Sequence, residues 1–220
     1  MAFTKEKIKA VGVILAGGRS SRMAGRMGAP KALLEVGGIP IVLREVQALR
    51  EVFDEVLIVA KDPAPYEDLG LKAIPDADRF RGVAGPLTGL YTALREIEHG
   101  YAFVAACDMP FIEPGLVRWL TGLARGDNLV IPEVDGLIEP LFALYPRSSL
   151  PAFEAALERG VKRLRDVFGE LEVTYADGGG MRVHDPELLS LINVNTPDDL
   201  ARAEDLIRTP LASSSKGYGR

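Results

Sequence analysis

Cysteine, histidine and tryptophan are nearly missing from this 220-residue chain, which carries one, two and one of them respectively. The single Cys107 rules out an internal disulfide framework and suits a reducing compartment. His99 and His184 have no cysteine or second histidine at ligand spacing, which excludes a zinc site of ordinary pattern. Long hydrophobic runs are missing too: no stretch approaches the roughly 20 residues that a membrane-spanning helix needs. The opening MAFTKEKIKA lacks the apolar stretch and small-residue cleavage site of a signal peptide. Positive charge is the minority sign, 26 Lys and Arg against 31 Asp and Glu for a net -5. With no long basic stripe either, nucleic acid is excluded as the main partner. No repeat of solenoid length occurs, and no proline-rich linker divides the chain.

What is present is ordinary for a soluble globular protein. Hydrophobic residues make up 47% and charged residues 26%, and the length suffices to bury a proper core. A cytoplasmic protein without a membrane partner is expected. Short apolar runs read as buried strands at Val11–Leu15, Val56–Ala60, Leu71–Ile74, Phe103–Cys107 and Leu129–Ile131. Helical patterns lie between them: Ile39–Val52, with Ile41, Val42, Val46 and Leu49 at helical spacing, then Pro86–Ile97 and Pro114–Leu123, each with proline near its start. Strands too apolar for a half-exposed sheet, alternating with helices, predict an α/β fold: a doubly wound, mostly parallel sheet covered on both faces.

After residue 125 the rhythm changes. Asp127–Ile131 and Leu137–Tyr145 flank the turn signal Val134-Asp135-Gly136, which predicts a small antiparallel excursion. Helices at Ser148–Glu158 and Val161–Phe168, a strand at Glu172–Tyr175 and a loop at Asp177–Gly180 follow. A short strand then ends in Ile192–Asn195, and Thr196-Pro197-Asp198-Asp199 starts a final helix: threonine as cap, proline first, acids in the first turn. That helix ends near Arg208, leaving 209–220 as a disordered tail and 1–208 as one domain. Trp119, at helical spacing with Leu116 and Leu120, reads as core.

The loop leaving the first strand is where composition turns unusual. From Ala16 to Lys31 an acidic protein places four positive charges and no negative one, behind the pair Gly17-Gly18. In a doubly wound sheet, ligands bind at the carboxyl ends of the strands where strand order reverses. Glycine lets backbone N–H groups approach an anion, and Arg19, Arg22, Arg26 and Lys31 supply mobile positive charge, so the parts amount to a polyphosphate cradle. A solvated surface loop is the competing reading. The dinucleotide fingerprint G-x-G-x-x-G is absent, and Lys31 is followed by Ala32 rather than the Ser or Thr of a phosphate loop. Asp108, ending the apolar run Phe103–Cys107, suits a hard cation shared with substrate phosphates; a turn or cap aspartate is the alternative.

Leu15-Ala16-Gly17-Gly18 followed by Arg26-Met27-Gly28-Ala29-Pro30-Lys31 resembles the signature of the molybdenum cofactor guanylyltransferases, the MobA family, with four extra residues between its two halves. SRMA followed by GRMG leaves both Arg22 and Arg26 as claimants to the family arginine. Cys107-Asp108-Met109-Pro110 matches the family's CD-x-P motif and Asn193-Val194-Asn195-Thr196-Pro197 its closing NVNTP motif. The resemblance covers about residues 10–208 and implies a Rossmann-like nucleotidyltransferase, with about 10–125 as the nucleotide-binding half and 126–208 as the acceptor-binding half. It implies transfer of GMP from GTP to the phosphate of molybdopterin or molybdenum cofactor, with Mg2+ as cofactor and cofactor-donor or cofactor-acceptor proteins as partners. By the same resemblance Lys31, Asp108 and Arg22 or Arg26 are catalytic, and Asp108 holds the metal. The nucleotide falls to Leu15, Ala16, Gly17, Gly18, Arg19, Lys31, Asp76, Asp108 and the Gly85-Pro86-Leu87 turn, and the acceptor to Asn193 and Asn195. Where relatives often carry a nucleotide-contacting asparagine, this chain has Val59. Transfer of another nucleotide such as CMP, or to another pterin, a cobinamide or a sugar phosphate, is the alternative activity. A non-catalytic nucleotide-binding or cofactor-binding module is the alternative class.

Overall fold

The computed structural model describes residues 9–16, 30–80, 85–98 and 100–208. The expectations placed on Gly17, Gly18, Arg19, Arg22, Arg26, His99 and the tail 209–220 therefore lie outside the described residues.

Strand β1 (Ala10–Leu15) comes first. After a 3-10 turn at Lys31–Leu33, β2 (Glu35–Val36) and β3 (Ile39–Pro40) pair antiparallel. Gly37 and Gly38 turn this hairpin at φ 61° and 72°, a region costly for residues with a Cβ. Helix α1 (Ile41–Arg50), β4 (Val56–Ala60), α2 (Ala64–Glu67), β5 (Ala73–Pro75), α3 (Pro86–Glu96) and β6 (Tyr101–Ala106) follow. The C-terminal half runs through α4 (Pro114–Thr121), β7 (Leu129–Val134), β8 (Leu137–Ile138), β9 (Phe142–Pro146), α5 (Leu150–Glu158) and β10 (Val173–Asp177). Helices α6 (Gly178–Arg182) and α7 (Pro197–Arg208) close it. No helix among the described residues is long and apolar enough to cross a membrane.

The main sheet runs β10-β7-β9-β6-β1-β4-β5, with β8 beside β7. β1 is parallel to both β4 and β6, β4 to β5, and β7 to β10. β9 enters antiparallel between β6 and β7. Successive strands move outward from β1 to β4 and β5, then return to the other side of β1 at β6. Sheets of this kind hold ligands at such a reversal, beyond the carboxyl ends of the strands, here Leu15 and Ala106.

The run of apolar residues along each strand is explained by cover on both faces. On one face Ile14, Ile58 and Phe103 pack with Val46 and Leu49 of α1 and Leu116 and Leu120 of α4. On the other, Val13, Leu57 and Val104 pack with Leu90 and Leu94 of α3 and Phe153 of α5. Phe103 stacks near Phe53 (5.8 Å between centroids) and meets Phe142 edge-on at 5.1 Å, tying β6 to β9. Each large side chain so buried contributes about 1.5–3 kcal/mol. A third cluster joins Val36 and Ile41 to Val194 and Ala203, docking α7 on the small hairpin.

The expected fold class stands: a mostly parallel sheet with helices on both faces and an antiparallel excursion turned by Asp135 and Gly136, both at positive φ. Several local expectations are corrected. Ile39 and Pro40 pair with β2 instead of starting α1. The strand foreseen at Leu71–Ile74 begins at Ala73. Leu164–Glu170 is a 3-10 stretch, where a helix over Val161–Phe168 is predicted. Gly178–Arg182 is helical, not a loop, because the Asp177 side chain accepts from Gly180 N at 3.0 Å and caps it. Ile192–Asn195 is not a strand; it is an irregular segment held by Val194, whose side chain is fully buried and whose N–H donates to Asp108 O at 2.9 Å.

Candidate active site

Three chain segments meet at the sheet's reversal point. Lys31 opens the 3-10 turn after the β1 loop, Asp108 follows β6, and Asn195 precedes α7. Lys31 Nζ donates to Asp108 Oδ2 and, at 2.6 Å, to Asn195 Oδ1. The Lys31 and Asp108 side chains are only 13% and 14% exposed, so this ion pair is poorly screened. Residues 77 and 164 positions apart along the chain thus close one polar cluster.

Each partner is held by local structure. Asp108 is pinned through its own carbonyl by Val194 N–H. Asn195 is fixed by the cap of α7: the Asp199 carboxylate accepts from the N–H of Asn195 (2.9 Å) and of Thr196 (2.8 Å), while Asp199 N–H donates to Thr196 Oγ1 at 3.2 Å. This is a capping box with aspartate in the acidic place. The hydrogen bond from Asn195 N–H, then the Thr196 side chain, hold the Asp199 carboxyl below its ordinary range. A carboxyl depressed in the folded state adds stability above the unfolded value and loses it as pH falls through the folded one. Asp199→Ala should therefore lower stability at pH 7 by about 0.5 kcal/mol, the size of a solvent-screened contact, and the gap between wild-type and variant urea midpoints should close below about pH 4.

Asp108 Oδ1 is buried and has no hydrogen-bond partner among the described residues. A buried carboxylate oxygen without a donor is costly unless a cation or ligand takes it. The chemistry fits Mg2+: hard, oxygen-ligated, and content with one or two carboxylates plus substrate phosphates. No cluster of three His, Cys, Asp or Glu among the described residues could hold a metal by protein ligands alone.

On the β4 side, Asp76 follows β5, its N–H donating to Ala60 O at 3.2 Å. Burial raises its carboxyl above the ordinary range, with the Lys61 ammonium opposing. It lies against the start of α3, where a Cβ added to Gly89 would sit 3.8 Å from Asp76 Oδ1 and 3.2 Å from Leu15 Cδ2. Glycine at 89 thus lets the helix close on the carboxyl end of β1. Gly85, at φ 141°, precedes α3 without a side-chain bond, and Pro86 begins the helix. Leu15 and Leu87 are core residues, which leaves backbone as what they can offer a ligand. Ala16 extends β1 by donating to Val59 O at 2.7 Å, and the Val59 side chain is buried.

The structure joins Lys31, Asp108 and Asn195 and sets Asp76 and the Gly85-Pro86-Leu87 turn on the neighbouring strand ends. It turns Asn193 away, onto its own turn, where Nδ2 donates to Leu191 O at 3.1 Å. His184 stacks on Trp119 at 5.5 Å between centroids, a packing contact. Sequence reasoning missed Glu45, a fully buried acid whose Oε1 accepts from Met109 N–H at 2.9 Å. Its signal was its spacing: Glu45 lies three residues after Val42 and four before Leu49, on the apolar stripe of α1.

Residues 12–174 match the family described as MobA-like NTP transferase domain. A probable molybdenum cofactor guanylyltransferase from Pelotomaculum thermopropionicum is 37% identical, over 89% of this chain and 92% of its own. A molybdenum cofactor guanylyltransferase from Desulfosudis oleivorans is 34% identical, over 90% of this chain and 95% of its own. Among solved structures, molybdopterin-guanine dinucleotide biosynthesis protein A from Archaeoglobus fulgidus superposes with TM-score 0.74 at 30% identity, covering 90% of this chain and 98% of that one. With the family match over residues 12–174 taking in Lys31, Asp76 and Asp108, the chain belongs to the MobA-like NTP transferase family.

Proposed function

We propose that this protein is a guanylyltransferase that moves GMP from GTP to the terminal phosphate of molybdopterin or molybdenum cofactor and releases pyrophosphate. The observation that carries the reading is Lys31 bridging Asp108 and Asn195 at the reversal point, with Asp108 Oδ1 left for a cation. An acceptor phosphate oxygen attacks the α-phosphorus, the bond to the β-phosphate oxygen breaks, and pyrophosphate leaves. The acceptor is already ionised at neutral pH, so no side chain need take a proton. Positioning and neutralisation of crowded anionic charge then supply the rate. Lys31 binds the triphosphate, the Ala16–Gly18 backbone cradles it, and Arg19, Arg22 or Arg26 offset leaving-group charge. Asp108 would hold Mg2+, whose bound charge offsets the repulsion between the two phosphates. Val59 being buried, the base is read from elsewhere, with Asp76 and the start of α3 nearest the β4 and β5 ends.

The acceptor falls to the half of the chain after residue 126. Asn195, oriented by the α7 cap, meets its phosphate, and Asn193 reaches it on leaving Leu191 O. A recess of about 400 Å³ at the carboxyl ends of β7 and β10, lined by Glu133, Asp135, Tyr175, Asp177 and Arg182, lies on the same sheet edge and would receive the rest of the molecule. The curated relatives' names support guanylyl transfer. The deciding experiment incubates the protein with each NTP, Mg2+ and molybdopterin and follows pyrophosphate. Release with GTP far above CTP, ATP and UTP is expected; release with CTP alone would convert the reading to a cytidylyltransferase, and tight GTP binding without release would make the protein a binding module.

A further inference from the structure

Two buried side-chain atoms lack hydrogen-bond partners among the described residues, Glu45 Oε2 and Asp108 Oδ1. They belong to neighbouring groups. Glu45 comes from the inward face of α1, between Ile41, Val42, Val46 and Leu49, and is fully buried. Its Oε1 takes the N–H of Met109, itself 1% exposed, so it grips the peptide that joins Asp108 to Met109. An acid on that stripe is a costly choice. Replacing a buried charged or polar group by a well-packed hydrophobe is often neutral or stabilising, and valine or leucine would continue the core.

We infer that Glu45 is a positioning residue for Asp108: by holding Met109 N–H it fixes the turn after β6 and aims Asp108 Oδ1 at the cation and phosphate. The other anchor on that turn is Val194 N–H on Asp108 O. The two hold the N–H and the C=O of one peptide, leaving Asp108 Oδ1 as the side-chain oxygen without a partner among the described residues. Burial raises the Glu45 carboxyl well above its ordinary range. The inference rests on the proposed role of Asp108 in gripping the metal.

The test compares Glu45→Leu and Glu45→Gln with wild type, reading free Mn2+ by its paramagnetic resonance as the ion is titrated into protein with GTP. Thermal melting and steady-state kinetics accompany it. Glu45→Leu should melt no earlier than wild type, yet bind Mn2+ about tenfold more weakly and lose about tenfold in kcat with the KM for GTP little changed. Glu45→Gln keeps a carbonyl oxygen for Met109 N–H and should restore both quantities to near wild type. A folded Glu45→Leu with undiminished Mn2+ affinity overturns the inference, and so does a Gln variant as weak as Leu. Should leucine fail to fold, the unbranched Glu45→Met takes its place under the same criteria. Because Mn2+ binding is read without turnover, it tests Glu45 even if no NTP yields pyrophosphate, an outcome that would sink only the proposed reaction.

Discussion

Asp108→Asn should lower pyrophosphate release from GTP by about 10²- to 10³-fold, the range seen when one preorganised electrostatic contact is lost. The substitution is nearly isosteric. An amide oxygen can still accept from Lys31, and the backbone tie from Val194 N–H to the residue's carbonyl is unchanged. The carboxylate charge that makes Oδ1 a ligand for a hard cation is gone. Melting should therefore stay close to wild type while the Mn2+ titration with GTP weakens and kcat falls more than the KM for GTP rises. Undiminished, metal-dependent turnover in this variant would remove Asp108 from the reaction.

Lys31→Ala should cost about 100-fold or more in kcat/KM, but with the opposite effect on the metal. Lys31 is the cation on Asp108 Oδ2. Deleting it leaves the carboxylate more exposed to a divalent ion, so Mn2+ should bind at least as tightly as in wild type even as kcat/KM falls. The loss should appear largely in the KM for GTP, since the ammonium meets the triphosphate before and during reaction. Lys31→Arg should rescue poorly: a planar guanidinium fork does not reproduce a compact ammonium set between Asp108 Oδ2 and Asn195 Oδ1. Opposite metal phenotypes at Lys31 and Asp108 separate a phosphate clamp from an ion ligand, which activity loss by itself cannot do.

The fold was legible because its strands, such as Val56–Ala60, are apolar on both faces, and only burial under helices on each side makes that sequence stable. Proline at the start of α3 and α4 and the acids after Thr196 marked helix beginnings for local reasons that operate whatever surrounds them. Where tertiary contacts decide, sequence reading failed. Alternation in Ile192–Asn195 suggests a strand, but the segment finds one backbone partner at Asp108 and buries Val194 against α7 instead of joining a sheet. Asp177 converts a run of three glycines into a helical turn by capping Gly180. Glu45 was not singled out from the sequence because its partner, Met109, lies 64 residues away.

By itself the sequence determined the alternation of elements, the parallel sheet, and the placing of Lys31 and Asp108 after the first strand and after β6. These follow from hydrophobic period, proline position and charge, all of which act within a few residues. Which of Asn193 and Asn195 faces the lysine, that one oxygen of Asp108 has no donor among the described residues, and that a buried acid stands behind it were decided by tertiary structure alone. Those properties arise from distances between segments 64 to 164 residues apart, and no local preference encodes a distance.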